Sequence, residues 1–369
     1  MTTFVDLFSG AGGLSLGLVQ AGWEPLLAVD NWADAIRTYS ANFPGHRAWL
    51  ADVQDIGLPE LTSGLPAHPD WIVGGPPCQG FSTVGKRQRE DPRNRLVHEF
   101  ARIVGLVQPI GFVIENVVGL RDMNFVDAVV GLFRDFGYET TPMVLRAADY
   151  GVPQLRHRVL FVGHRGGRVF LGPEKSVDPE HHVSVWDAIG DLPELGPGES
   201  ATVYTTSPQT DFQQEMRASS TWLQGHAASN HPQHLVHAIS FIPDGGNRRS
   251  IPDEYQPRSG YHNSYSRLHS ASPAVAVTQN MGKPSATRCI HPFQHRGLTA
   301  REGARLQAFP DTFHFSAGTT SQRLQVANAV SPRLAFAIAS AIDDPTRWRD
   351  WRRAGEREKV EQLRLLASA

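Results

Sequence analysis

From its N-terminus the chain alternates short apolar runs with amphipathic stretches. TTFVDLF is an apolar run of strand length; the glycine-rich SGAGG follows it, and LSLGLVQAG reads as a helix closed by Gly22. PLLAVD predicts a second strand, and ADAIRTYSANF a helix whose apolar positions recur at helical spacing. WIVGG and FVIENV predict buried strands, with NRLVHEFARIVGLV as the helix between them. MNFVDAVVGLFRDFGY is a further amphipathic helix and RVLFVGHR a further strand. Strands alternating with helices of this length are the signature of βαβ units, so residues 1–171 predict an α/β domain with a doubly wound parallel sheet.

Beyond residue 171 the texture changes. Residues 172–297 are rich in proline, glycine, serine and histidine, with weak periodicity, and predict an irregular domain or large insertion. LTAREGARLQAF and SPRLAFAIASAI restore helical periodicity, so residues 298–342 are expected to return to the first domain. Residues 343–369 form a highly charged tail whose EKVEQLRLL predicts a terminal helix. No internal repeat is evident.

Composition bounds the classes open to this chain. Its 369 residues are 40% hydrophobic and 20% charged, the profile of a soluble globular protein with a sizeable core. No apolar run approaches the roughly 20 residues needed to cross a bilayer, and MTTFVDLFSG has neither the basic start nor the cleavage site of a signal peptide. A cytoplasmic protein making no use of a membrane is expected. The two cysteines, Cys78 and Cys289, cannot form a disulfide framework, and no metal site is expected. The net charge of -2 hides an uneven distribution: Met216–Arg305 holds ten Lys and Arg against four Asp and Glu, and many of the 16 histidines. A nucleic-acid surface and an ordinary solvated face both fit that surplus.

Two stretches carry candidate chemistry. VDLFSGAGGLSLGL places glycines at a strand-to-helix turn, and Asp30 ends the next strand. Such a turn lets the backbone approach a ligand, and the acid can hold a ribose diol. A nicotinamide or flavin cofactor, S-adenosylmethionine, or a tight turn with no ligand would all suit it, although the G-x-G-x-x-G fingerprint is absent. GGPPCQGFS sets Cys78 behind two prolines and among glycines, where the loop is stiff and a ligand can approach. Cys289, in TRCIHPF, has no such setting and reads as a small buried hydrophobe.

DLFSGAGG, GGPPCQGFS, IENV, QLRHRV, RLQAFP and ANAV occur in this order, and together they closely resemble the motif series of the cytosine-5 DNA methyltransferases, in the form found in bacterial restriction–modification systems. The resemblance runs from Phe4 to about Ile342. It implies a Rossmann-like sheet of the S-adenosylmethionine-dependent methyltransferase type with a smaller irregular target recognition domain. Carried over residue by residue, Cys78 matches the nucleophile, Glu115 the acid that engages the base and Arg158 a second base contact, with Arg156 beside it. Phe8, Ser9, Gly10, Gly12 and Gly13 match the cofactor loop. Asp30 and Asn31 fall at the ribose acid and its neighbour, Asp52 and Val53 at the adenine contact, Pro76 before the nucleophile, and Asn328 and Val330 in the last cofactor motif. Ser82, and Lys86 to Arg95, match the loop that closes over DNA. Arg248, Arg249, Arg258, Arg267 and Arg288 fall in the recognition segment, where arginine suits bidentate guanine readout.

The implied reaction moves a methyl group from S-adenosyl-L-methionine to C5 of a flipped-out cytosine in a specific duplex sequence, through a Cys78 adduct at C6, leaving S-adenosyl-L-homocysteine. Double-stranded DNA is the implied partner, a restriction endonuclease acting on the same site the implied companion, and a monomer the expected state. The chain departs from the family in three places: Asp30 stands where many members have glutamate, Asn31 where some carry an aromatic, and VANAV lacks the frequent glycine. A relative of the same fold that methylates transfer RNA shares the Pro-Pro-Cys and Glu-Asn-Val strings. A non-catalytic DNA-binding module and a dinucleotide-dependent oxidoreductase are the other rivals.

Overall fold

A computed structural model describes residues 1–77, 95–117, 123–258 and 264–350. The chain divides into two compact units: Met1–Arg146, His157–Lys175 and Leu334–Ala369 form the first, Ala147–Arg156 and Ser176–Arg333 the second.

The first unit is built on a seven-stranded sheet. Its strands are β1 (Thr3–Leu7), β2 (Glu24–Asp30), β3 (Ala48–Leu50), β4 (Trp71–Gly74), β5 (Gly111–Val117), β6 (Glu139–Arg146) and β7 (His157–His164), in the order β3-β2-β1-β4-β5-β7-β6. All neighbours run parallel except β7, which is antiparallel to both β5 and β6. Helices α1 (Gly13–Gln20), α2 (Ala33–Asn42), α3 (Leu58–Gly64), α4 (Arg95–Val107) and α5 (Met123–Arg134) intervene along the chain. This is the doubly wound α/β sheet that the hydrophobic pattern predicts. The apolar runs become fully buried strands because helices cover them, and Phe100, Phe112 and Phe133 pack at the centre, the last two stacked with centroids 3.8 Å apart.

Strand order reverses between β1 and β4, and in such sheets the crevice for ligands opens at the carboxyl ends of the strands beside that point. The two strands lie so close there that a Cβ on Gly74 would collide with the carbonyl oxygen of Leu7. A short pair, β8 (Arg168–Phe170) and β9 (Trp348–Asp350), joins residues far apart in sequence. The predicted tail helix, EKVEQLRLL, lies outside the described residues.

The second unit is mostly irregular. It carries α6 (Val185–Ile189), α7 (Asp211–Arg217), α8 (Gln233–Ser240), α9 (Ala300–Leu306) and α10 (Thr319–Asn328), and α11 (Pro332–Asp343) begins in it. Residues 298–333, expected to rejoin the first domain, belong instead to this unit, and the return begins at Leu334.

Chain with few ladders leaves many backbone carbonyls to be satisfied by side chains, and here arginine forks do this. Arg305 donates through Nε and Nη2 to Asp311 at 2.6 Å each, and through Nη1 to Asp191 at 3.2 Å and to the Ala188 carbonyl at 2.9 Å. Arg301 donates to the carbonyls of Gln224 and Phe313, each at 2.9 Å. Arg296 forms a two-pronged pair with Glu302 at 2.6 and 2.9 Å. Much of the positive surplus read from the sequence is therefore internal: Arg296, Arg301 and Arg305 are among the largest fully buried side chains.

Candidate active site

Most of the described residues singled out in the first unit gather at the carboxyl edge of its sheet. Phe8 follows β1 in the left-handed region at φ 59°, a conformation that costs a side-chain-bearing residue energy and marks functional loops. Gly10 and Gly12 share that region at φ 54° and 96°, and nothing lies within 4 Å of where a Gly10 Cβ would stand. Gly13 opens α1. The backbone of this turn is held by Asp30 at the end of β2: its Oδ2 accepts the Gly10 N–H and its Oδ1 the Trp32 N–H, both at 2.8 Å. Burial raises the Asp30 carboxyl above its ordinary range, against these hydrogen bonds. Each oxygen keeps a lone pair for a further donor. Ser9 is buried and its hydroxyl has no hydrogen-bond partner among the described residues. An open glycine cradle, an orphaned buried hydroxyl and an adjacent acid fit a nucleoside-type group such as S-adenosylmethionine.

Asn31 follows Asp30, and its Nδ2 donates to Asp52 at 3.4 Å. Asp52, in turn, accepts the Gln54 N–H at 3.0 Å and caps the short turn that starts at buried Val53. Beneath the glycine loop sits a group that motif reading passed over. Asp6 is fully buried, its Oδ2 accepting from Ser15 at 2.6 Å while its Oδ1 has no partner among the described residues, and the Tyr39 hydroxyl donates to Ser15 at 3.2 Å. Burial pushes its carboxyl up to about 7.

The second cluster centres on Glu115 and Arg158. Because β7 runs antiparallel to β5, its first residues lie at the same edge as the last residues of β5. Arg158 faces Val117 and Leu160 faces Glu115, so Glu115 and Arg158 are diagonal neighbours on one face. Arg158 Nε and Glu115 Oε1 form a direct ion pair, each residue only 8% exposed. Burial raises the Glu115 carboxyl, opposed by the charge and hydrogen bond of Arg158.

Beside this pair runs the backbone of GGPP. A Cβ on Gly75 would stand 3.5 Å from Glu115 Oε2, and Asn116 Nδ2 grips the Pro76 carbonyl at 2.9 Å. Asn116, another residue without an assigned role in the sequence reading, therefore ties that loop to β5. Cys78 follows two positions after Pro76 and lies outside the described residues, as do Ser82 and Lys86. Arg95, the first residue of α4, is exposed.

Two sequence expectations are corrected. Arg156 was grouped with Arg158 at the reacting base, but its guanidinium is buried within the second unit, donating to the carbonyls of Val277 at 3.2 Å and Ala327 at 2.9 Å. It braces that unit, aided by Gln154, which accepts the Val277 N–H and donates to the Leu306 carbonyl, each at 2.9 Å. Arg267 was a candidate for base readout, but it is buried and donates to the carbonyls of Ile239, Ile242, His291 and Gln294 at 2.5–2.9 Å. Arg156 precedes β7 and Arg158 lies within it, and no local pattern in the sequence tells in which unit each guanidinium packs. Asn328, exposed at the end of α10, and buried Val330 also lie in the second unit.

The family model of the C-5 cytosine-specific DNA methylases matches residues 2–344. The chain belongs to that family. Among curated relatives, this C-5 cytosine-specific DNA methylase is 40% identical over 349 residues to the type II methyltransferase M1.HphI of Haemophilus parahaemolyticus, covering 92% of this chain and 86% of that protein. It is 36% identical over 369 residues to M.DdeI of Desulfomicrobium norvegicum, covering 92% and 88%. Among solved structures it matches a prophage-encoded protein from E. coli described as a DNA modification methyltransferase, with a TM-score of 0.75 at 26% identity, covering 93% of this chain and 98% of that one. Among the described residues, no helix of this methylase is long and apolar enough to cross a membrane.

Proposed function

We propose that the protein methylates C5 of a cytosine extruded from a specific site in duplex DNA, through a covalent adduct between Cys78 and C6. The observation that carries this reading is the buried Glu115–Arg158 pair, packed beside the Gly75–Pro76 backbone that leads to Cys78.

C5 of cytosine is too poor a nucleophile to take a methyl group unaided. When the Cys78 thiolate adds, the C6–S bond forms and the C5–C6 electron pair becomes available at C5, as in an enamine. Negative charge develops on the ring, where a neutral Glu115 donates to N3 and Arg158 to O2. Burial favours that neutral form of Glu115, the only form able to donate. Once C5 is methylated, loss of its proton to a base returns the electron pair to C5–C6 and expels the Cys78 sulfur. S-adenosyl-L-methionine, when bound, supplies the methyl group as an electrophilic sulfonium. Phe8, Ser9, Gly10, Asp30, Asn31, Asp52 and Val53 are the residues of the first unit that would hold it.

A target base stacked in a duplex hides its C6 face, so extrusion precedes chemistry. The exposed arginines of the second unit supply phosphate and base-edge contacts. On this reading the protein acts in the cytoplasm as a monomer, alongside a restriction endonuclease for the same site. Tritium transfer from labelled S-adenosylmethionine tests it: label in 5-methylcytosine of duplex DNA, and none in transfer RNA, is expected. Label confined to transfer RNA, or absent from both, contradicts it.

A further inference from the structure

The recognition-segment arginines are not equivalent. Arg267 is buried against backbone carbonyls. Arg248 is half-buried: its Nη2 donates to the Pro257 carbonyl at 3.2 Å and to Gln256 Oε1 at 3.5 Å, and its guanidinium carbon lies 5.8 Å from the centre of the Tyr265 ring. The next residue, Arg249, is exposed, and no hydrogen bond or ion pair engages its guanidinium among the described residues. Arg258 and Arg288 are exposed as well.

The backbone that carries Arg249 is braced from several sides. It sits in a single 3-10 turn, Arg248–Ser250, where Asn247 Oδ1 accepts the Arg249 N–H at 3.0 Å. Gln256 Nε2 donates to the carbonyls of Arg248 at 2.9 Å and Ile251 at 2.6 Å, closing the loop across its base. Ile251 is buried in a small core with Ala238, Ile239, Ile242, Tyr265 and Ile290. Arg267 in turn ties the carbonyls of Ile239 and Ile242 from below. On the same loop Phe241 and Tyr255 stack at 5.4 Å between centroids while remaining exposed. A phosphate contact tolerates a flexible arm, because any donor direction serves. Reading a guanine edge needs two donors held to within about half an ångström, and so needs a fixed base for the arm.

We propose that Arg249 reads a guanine of the target sequence through a bidentate pair in the major groove, and that Gln256 is the positioning residue that fixes its turn. This rests on the reading of the protein as a sequence-specific DNA cytosine methyltransferase. The test expresses wild type, Arg249→Ala, Arg249→Lys, Gln256→Leu and Arg288→Ala in a host without cytosine methylation, together with a plasmid library of randomised sites, followed by bisulfite sequencing. Wild type should methylate a context containing a guanine whose preference falls about tenfold or more in Arg249→Ala, with the other positions kept. Arg249→Lys and Gln256→Leu should relax the same position less, while Arg288→Ala should keep that preference. If Arg249→Ala methylates too little to map, competition binding of wild-type and single-substituted duplexes in the presence of S-adenosylhomocysteine reads the same discrimination. Full discrimination in Arg249→Ala, or its loss at every position at once, overturns the assignment. A wild-type protein that leaves no 5-methylcytosine in DNA overturns the underlying reading as well.

Discussion

At the scale of single residues, burial makes the clearest forecasts. Asp6 has a carboxyl raised from 3.8 to about 7, chiefly by desolvation. A pKa higher in the folded than in the unfolded chain means that the neutral acid stabilises the fold. That contribution is complete below the unfolded pKa and is lost as pH rises through about 7. The shift corresponds to at most about 4 kcal/mol. Asp6→Asn should remove the dependence, so urea midpoints compared at about pH 5 and about pH 8.5 should fall for wild type and stay level for the variant. Parallel declines would mean that another group is responsible. Glu115 is raised in the same direction, so activity that needs its proton should fade toward alkaline pH. Glu115→Ala should lower kcat by about 100- to 1000-fold and flatten that alkaline limb, as expected for losing a donor at a developing charge. An unchanged kcat–pH profile would exclude Glu115 as the donor. Asp30→Ala should weaken S-adenosylmethionine binding by about 1.5–3 kcal/mol in calorimetry. Unchanged affinity would place the ribose elsewhere.

Among elements, the parallel strands were legible because burial on both faces writes them as unbroken apolar runs, as in WIVGG and FVIENV. β6 escaped notice because Pro142 interrupts ETTPMVLR; the strand lies at the edge of the sheet, where proline is tolerated. β3, at three residues, and β9, inside a charged tail, are too short for a periodic signal. The second unit was legible only as irregular, because its order comes from side-chain forks rather than from periodic backbone. Burial alone would raise the Glu302 carboxyl, yet Arg296 holds it well below the usual range, so this pair stabilises the unit above that range and loses its contribution as pH falls. Arg305 is the hub of the second network, between Asp191 and Asp311. Removing it leaves buried Asp191 with Arg217, and buried Asp311 with Arg301 and Tyr204, each short of its main partner, so Arg305→Met should cost about 3–5 kcal/mol in thermal or urea unfolding. A loss under about 1 kcal/mol would show that the unit does not depend on this network.

For the molecule as a whole, the near-neutral charge balance concealed how its cations are deployed, since part of the surplus is internal and part is exposed on the second unit. The family was legible because six short strings keep their order, and four of them meet a physical demand seen in the first unit: an open turn, a close strand approach, and a buried acid beside an arginine. The division of labour between Arg156 and Arg158 was not legible, because it depends on which element each side chain faces. The central claim is that Cys78 attacks C6 and departs only when the C5 proton leaves. A duplex carrying 5-fluorocytosine at the target tests it most directly, since fluorine cannot leave as a cation. In the presence of S-adenosylmethionine, the wild-type protein and Cys289→Ser should become covalently joined to that DNA and stay joined through denaturing electrophoresis. Cys78→Ser should form no adduct, because an alkoxide is far less accessible than a thiolate at neutral pH. An adduct that survives Cys78→Ser, or one that disappears with Cys289→Ser, would contradict the account.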